Sequence, residues 1–230
     1  ETRNLSLSTK GIESIEIDAG AGFLKYRGVE GLSEVRVTAD LAVDEDSFRL
    51  ELVKKGSKAV LISEPNTGNK SFWGDSPKID LTVEVPAFLS AKIEDGSGSI
   101  EVHNVGGDLK IEDGSGSMSV VDVMGDLKIE DGSGSIDIEN IRGNIKLNDG
   151  SGSISISKAS KDLVLNDGSG SITVDTLGGE ARIDDGSGGM KLTNIVGHVT
   201  IDDGSGNISV NELQNGLTII NAGSGGVSIK

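Results

Sequence analysis

The chain has 230 residues and a formal net charge of −16, from 21 basic and 37 acidic side chains. This charge disfavours nucleic acid and anionic membrane surfaces, whose phosphates are bound by lysine and arginine. The absence of cysteine excludes disulfides and thiolate chemistry, and the only two histidines, His103 and His198, leave little material for histidine-based catalysis. No apolar stretch reaches the ~18 residues that a membrane-spanning helix needs, so no membrane span is predicted.

A repeat of 18 residues dominates the chain after residue 90. The string Asp-Gly-Ser-Gly recurs seven times at this interval, without insertion or deletion, beginning at Asp95, Asp113, Asp131, Asp149, Asp167, Asp185 and Asp203. A degraded eighth copy begins at Asn221 and is longer by one residue. Because the residues between the copies also align in columns, the repeat is a structural unit and not low-complexity sequence.

Five apolar columns accompany the repeat, and in one copy they are occupied by Ile100, Val102, Val105, Leu109 and Ile111. Alternation of apolar and polar residues with a period of two is typical of β-strands that have one buried face. Each repeat contains two such short strands, each entered through glycine. One repeat cannot bury its apolar side chains alone, so successive repeats must stack with like residues above one another.

The sequence therefore predicts an all-β fold, a single-stranded right-handed β-helix (solenoid) with 18-residue turns and parallel sheets. Right-handedness follows from the strong chirality of parallel crossovers. A left-handed hexapeptide helix also suits a period of 18, but it needs an apolar residue every six positions, whereas the spacing here is 2, 3, 4, 2 and 7. If the whole chain wound in this way, it would make about 13 turns and a rod of about 60 Å.

The N-terminal residues 1–90 are less regular but related to the repeats of residues 91–230, so we interpret residues 1–230 as one solenoid domain. Residues 15–23 are a faded copy of the unit. Further strands are predicted at residues 35–37, 48–52, 60–62 and 79–85. We interpret this part as irregular first turns that also cap the open strand edge.

The column of aspartates has two interpretations. In the first, each carboxylate accepts hydrogen bonds from the Gly and Ser N–H groups that follow it, as in an Asx turn. In the second, calcium is held between turns by Asp95, Asp113, Asp131, Asp149, Asp167, Asp185 and Asp203 together with the preceding, mainly acidic column. The calcium β-roll signature places its aspartate after the glycines, whereas here it precedes them. The Asx turn is therefore favoured, and no bound cofactor is expected.

A column of mainly basic residues lies two positions before the mainly acidic column, as in Lys110 and Glu112. Residues i and i+2 share one face of a strand, so the two columns form neighbouring ladders of opposite charge. Where the basic column contains Val164, the acidic column contains Asn166. This pattern predicts charge balancing on a solvated face and not a ligand site.

No catalytic site is predicted. Carboxylate pairs occur in every repeat, so none stands out for acid–base chemistry, and both histidines sit at variable, outward positions. The Gly-Ser-Gly strings lack the lysine of a phosphate-binding loop. Right-handed β-helix polysaccharide lyases use clustered basic and acidic residues. This chain has only two arginines after residue 90, Arg142 and Arg182. A polysaccharide-active enzyme is therefore the least favoured class.

A loop-like segment at residues 64–77 interrupts the strands and contains the only tryptophan. Phe72 and Trp73 form an aromatic pair there, which either plugs an end or flank of the solenoid or contacts a partner. Phe72 and Trp73 are therefore the partner-binding candidates of the sequence.

The step from the alternating strand at residues 79–85 through Pro86 into the repeats that begin at residues 93–102 resembles a bacterial family. This is the β-strand-repeat domain of unknown function labelled "putative adhesin", and the resemblance covers about residues 12–229. It implies a right-handed β-helix, often from an exported or envelope-anchored protein, and it implies no catalytic residues. The repeats of this chain are more regular than those of the family.

Together these observations predict a non-enzymatic structural or adhesion-type module that contacts an unidentified protein or glycan surface. We expect it to be exported, periplasmic or displayed at the cell surface, because Glu1 is not a start methionine and a leader is expected to precede it. Two alternatives stay open. One is a scaffold that self-associates end to end through an open C-terminal edge, and the other is a calcium-stabilised repeat protein.

Overall fold

The computed structural model describes residues 1–42, 48–65 and 78–230. Within these ranges the chain forms 23 strands and no helix. The first eight strands are β1 (Thr2–Ser8), β2 (Ser14–Ala21), β3 (Leu24–Val29), β4 (Glu34–Ala42), β5 (Phe48–Lys55), β6 (Lys58–Pro65), β7 (Lys78–Pro86) and β8 (Ser90–Ser97). The repeats then form β9 (Ile100–Val105), β10 (Leu109–Asp113), β11 (Gly116–Val123), β12 (Leu127–Asp131), β13 (Gly134–Ile141), β14 (Ile145–Asp149), β15 (Gly152–Ala159), β16 (Leu163–Asp167), β17 (Gly170–Leu177), β18 (Ala181–Asp185), β19 (Gly188–Ile195), β20 (Val199–Asp203), β21 (Ile208–Leu213), β22 (Leu217–Asn221) and β23 (Val227–Ile229).

The strands are arranged in two sheets, ordered β1-β4-β7-β3-β9-β11-β13-β15-β17-β19-β21-β23 and β22-β20-β18-β16-β14-β12-β10-β8-β2-β6-β5. From β9 onwards the chain alternates between the sheets, and each strand pairs in parallel with the equivalent strand of the next turn. Ile111 pairs with Ile129, and Ile129 pairs with Leu147, so the register offset is the 18-residue repeat. The predicted all-β solenoid is confirmed, with about eight turns.

The five apolar columns fill the interior between the two sheets. Ile111, Ile129 and Leu147 have no exposed surface, and they belong to one hydrophobic cluster that runs through the solenoid. Each branched side chain packs on the equivalent side chains of the turns before and after it. Stacking of like residues thus buries the apolar surface that a single repeat would leave in water.

A residue with left-handed backbone explains why two apolar columns are three positions apart. In a regular strand, residues i and i+3 face opposite sides. The residue before Val105, and its equivalents, have φ between 54° and 67°: Asn104, Asp122, Asn140, Lys158, Thr176, Asn194 and Glu212. This conformation turns the strand so that Val105 and Val102 both lie inside.

Thr176 is poorly suited to this left-handed position. Its φ is 67°, and a β-branched side chain is strained there, whereas asparagine tolerates it. We expect Thr176→Asn to raise the free energy of unfolding by about 1 kcal/mol, measured by urea denaturation. The reverse change, Asn140→Thr, should lower it by at least as much, because Asn140 also donates to the Asp122 carboxylate. A stabilised Asn140→Thr variant would contradict this explanation.

The N-terminal strands depart from simple winding. β2 and β3 stack in parallel on β8 and β9, and the faded copy is confirmed because Ala19 pairs with Asp95 and Ala21 with Ser97. By contrast, β4 is antiparallel to both β1 and β7, and β5 is antiparallel to β6. The whole-chain winding that would give about 13 turns is therefore not observed.

The antiparallel strands β1 and β5 cover the apolar interior at the N-terminal end. Leu5 and Leu7 of β1, with Phe48 and Leu50 of β5, are partly buried against the core. The guanidinium carbon of Arg3 lies 4.9 Å from the centroid of the Phe48 ring, which links the two edge strands. Charged side chains on such edges also discourage pairing with further strands.

Candidate functional site

The aspartates of the Asp-Gly-Ser-Gly turns lie inside the solenoid. Asp113 shares a strand face with Leu109 and Ile111, because burial alternates along β10. Equivalent aspartates pair in register from turn to turn. We call this set the Asp file; its members are 1–8% exposed, and they are Asp95, Asp113, Asp131, Asp149, Asp167, Asp185 and Asp203.

In six of the seven members of the Asp file, Oδ1 accepts a hydrogen bond from the turn that follows. The Ser115 N–H donates to Asp113 Oδ1 over 3.2 Å, and the same bond recurs at 3.0–3.3 Å in the next five members. This is the serine half of the predicted Asx turn. The glycine N–H donates to the backbone of the previous turn, as from Gly114 to the Asp95 carbonyl over 3.1 Å. The Oδ2 atoms of all seven members, and Oδ1 of Asp95, are buried without a partner.

Burial raises the pKa of every carboxyl group in the Asp file. Desolvation is the largest cause, and it raises the pKa of Asp95 to about 7 and the pKa values of Asp149 and Asp185 to about 6. The pKa values of the other four members are also raised by desolvation. Repulsion adds to this effect, since two unit charges about 4.8 Å apart at a dielectric constant of about 20 repel by about 3 kcal/mol. The Asp file therefore resists full ionisation.

The calcium interpretation gains no support from this geometry. Calcium takes six to eight oxygen ligands, whereas each turn offers one unpartnered Oδ2, and the adjacent Glu112 points to the other face of β10. An open groove of about 610 Å³ is lined by the first four members of the Asp file, Asp95 to Asp149, and by the outer column residues Glu94, Glu112, Glu130 and Asn148. In the parts of the chain that the structure describes, no three His, Cys, Asp or Glu residues are placed to hold a metal ion.

We expect neither EDTA nor added calcium chloride to move the thermal midpoint of unfolding by more than about 1 °C. A metal that binds only the folded chain would raise that midpoint by mass action. Thermal melts followed by circular dichroism, with magnesium chloride as the control salt, measure this. A rise of several degrees with calcium and not with magnesium would support the calcium interpretation and contradict this expectation.

The outer face of the sheet that contains β8, β10 and β12 has the predicted ladders of opposite charge. Lys110 pairs with Glu112 on the same strand, and Lys128 Nζ lies 2.6 Å from Glu130 Oε1. These side chains are 36–44% exposed, so solvent screens each pair and its contribution to stability is small. The prediction of a charge-balanced, solvated face is confirmed for these turns.

A second ladder of side-chain bonds was not predicted from the sequence. The N–H groups of Asp126, Asn144 and Glu180 donate to Oδ1 of the equivalent residue one turn earlier, over 2.9, 2.7 and 2.9 Å. The acceptors are Asp108, Asp126 and Asp162. The sequence signal that could have predicted this ladder is the recurrence of Asp or Asn at the position just before five-residue strands such as β10. A groove of about 630 Å³ runs between this ladder and the lysine column.

The remaining predicted site residues are placed as follows. His103 Nε2 lies 2.8 Å from Glu101 Oε1, and His198 Nε2 lies 2.9 Å from Thr218 Oγ1, so both contact polar neighbours at the surface. Phe72 and Trp73 lie outside the described residues, so the aromatic pair stays a prediction. The described residues contain no helix with the length and apolarity to cross a membrane.

The stacked register and the side-chain ladders define the molecule as a β-solenoid of 18-residue turns, and two solved structures share this fold. A putative adhesin from Parabacteroides distasonis ATCC 8503 has a TM-score of 0.58 and 17% identity, with 100% of this chain and 97% of that chain covered. A putative adhesin from Bacteroides fragilis NCTC 9343 has a TM-score of 0.51 and 8% identity, with 100% and 97% covered. No protein-family model matches the chain, and no curated protein matches it in sequence. The resemblance to adhesin-labelled β-helices is thus confirmed at the level of the fold.

Proposed function

We propose that the protein is a non-enzymatic, adhesion-type module that presents a rigid side wall to a protein or glycan surface. Its export to the periplasm or cell surface belongs to the same proposal. The unbroken register from β9 to β21 supports it, because side-chain columns then keep a fixed spacing of about 4.8 Å along the wall. The two structural neighbours described as putative adhesins have the same architecture.

The observation that carries the proposal is a pair of exposed apolar side chains on turns that connect the two sheets, Phe88 between β7 and β8 and Met124 between β11 and β12, which we call the apolar patch. They are 63% and 59% exposed and occupy the same turn position two repeats apart, about 10 Å along the solenoid. Gly106 lies between them in the column and adds no side chain. On a strongly acidic surface, exposed apolar groups in one file suit contact with a partner.

Binding of the purified chain to glycan arrays and to whole cells tests this function. The double variant Phe88→Ser/Met124→Ser should weaken binding at least about tenfold, and the double variant Phe72→Ala/Trp73→Ala tests the aromatic pair in the same assays. Val164→Thr is the matched control, because Val164 is also an exposed apolar residue (38%) but lies on β16 and not in the turn column of Phe88 and Met124. Failure of the unmodified chain to bind any of these surfaces would contradict the adhesion proposal.

A second candidate function, end-to-end self-assembly, is favoured by the turn that β22 and β23 form. Val227 and Ile229 are 44% and 60% exposed, whereas their partners one turn earlier, Ile208 and Val210, are at most 1% exposed. Exposed apolar residues on an edge strand favour pairing with a second copy. Light scattering over a concentration series should show association, and Ile229→Lys should reduce it. A strict monomer at high concentration would rule this candidate out.

A further inference from the structure

The Asp file accounts for nearly all the buried, unpartnered side-chain oxygens in the described part of the chain. Eight of the nine such atoms belong to it, and the ninth is the Tyr26 hydroxyl. Its members are 1–8% exposed and stand in register on parallel strands. Because such strands lie about 4.8 Å apart, carboxyl groups of consecutive turns can meet in a short O–H···O bond of about 2.6 Å. Two carboxyl groups form this bond only when one of them is protonated.

Among the residues that the structure describes, no cationic side chain acts on the carboxyl groups of the Asp file. The charged groups that influence its members are the other aspartates of the file and, near its C-terminal end, Asp184 and Asp202. The Gly-Ser-Gly segments that follow it contribute backbone N–H groups only. The nearby lysines of β10 and β12 lie on the opposite strand face, where they pair with Glu112 and Glu130.

We propose that the Asp file is a proton-binding site, in which Oδ2 of a protonated aspartate donates to Oδ2 of the ionised aspartate in the next turn. Protonated and ionised carboxyl groups then alternate along the solenoid. Each shared proton satisfies two oxygens that otherwise have no partner and removes one of two neighbouring charges. The Asp file begins at Asp95, because the residue that pairs with Asp95 on the preceding turn is Ala19. It ends at Asp203, where the register shifts between β20 and β22.

This arrangement makes the folded chain more stable in mild acid. The raised pKa values, about 7 for Asp95 and about 6 for Asp149 and Asp185, lie above the ordinary aspartate value of 3.8. Between these limits the folded chain binds more protons than the unfolded chain, so stability falls as the pH rises through this window. Ion-paired glutamates act in the opposite sense, because Lys128 lowers the pKa of Glu130.

The first test uses the unmodified chain and needs no variant. Unfolding by urea at pH 6 in a weakly buffered solution should release protons, which a pH indicator counts, and the folded chain should show an infrared band of protonated carboxyl groups. The thermal midpoint should be higher at pH 5 than at pH 7.5 by about 5 °C or more. Proton uptake on unfolding, or a midpoint that rises with pH over this range, would overturn the proposal.

The second test compares adjacent residues on β12. Asp131→Asn should raise the midpoint at pH 7.5 and reduce the pH dependence, whereas Glu130→Gln, on the opposite face, should leave the sign of the pH dependence unchanged. An amide suits the turn, because Asn221 Oδ1 accepts the Gly223 N–H over 3.0 Å in the degraded copy. If Asp131→Asn does not fold, the proton release measured on unfolding the unmodified chain still tests the proposal. A midpoint raised by potassium or calcium chloride at pH 7.5, without proton release, would show a cation site and overturn the proposal.

Discussion

Gly152→Ala is expected to lower the free energy of unfolding by at least about 3 kcal/mol, or to prevent folding. Gly152 has φ of 144°, a region that is almost restricted to glycine. A Cβ atom at this position would lie 1.5 Å from the carbonyl oxygen of Gly134, one turn earlier. Because the clash is with backbone, no side-chain rotation relieves it, and the two turns must separate. Urea denaturation followed by circular dichroism measures the loss.

Gly189→Ser is the matched control for this substitution. Gly189 pairs with Ser171 and occupies the serine position of the repeat, and a Cβ atom there would meet nothing within 4 Å. We expect Gly189→Ser to be neutral or to stabilise the chain by up to about 1 kcal/mol, because it removes a flexible glycine from a strand. If Gly152→Ala unfolded at the same urea concentration as the unmodified chain, the close approach of successive turns would be refuted.

The stacked part of the fold is predictable from the sequence because the repeat interval is always 18 residues. Only one register then places equivalent residues of successive turns next to one another. A shift of one residue would have turned Ile111 and its equivalents towards solvent. The same alternation extends from Leu109 through Ile111 to Asp113, so the inward direction of the aspartates was also readable. It was missed because aspartate is almost never buried unless it is paired, whereas here at least one oxygen of each carboxyl group has no partner.

The N-terminal strands and the left-handed position were less predictable for physical reasons. Alternation identifies a half-buried strand but does not distinguish parallel from antiparallel neighbours, so the antiparallel pairing of β4 with β1 and β7 left no local signal. Four of the seven left-handed residues are asparagine or aspartate, which tolerate this conformation, but Lys158, Thr176 and Glu212 are not. At these three positions the stacking of the turns imposes the left-handed backbone and overrides the local preference of the residue.

Leu165→Ala is the second substitution with a large expected effect, a loss of about 2–5 kcal/mol in the free energy of unfolding. Leu165 has no exposed surface and stacks between Leu147 and Ile183, which are at most 1% exposed. The neighbouring turns are held by backbone bonds on both sides of β16, so they cannot move in to fill the space left by the missing methyl groups. Each turn contacts mainly its neighbours, so a cavity in the middle weakens both interfaces of the damaged turn.

Val164→Thr is the control for Leu165→Ala, because it changes the next residue on the same strand. Val164 is 38% exposed, and threonine occupies its column at Thr200, so the free energy of unfolding should change by no more than about 0.5 kcal/mol. Urea denaturation of both variants compares an inward and an outward position separated by one peptide bond. If both variants lost the same free energy of unfolding, the two faces of β16 would not differ in burial. Burial would then not explain the columns of apolar residues.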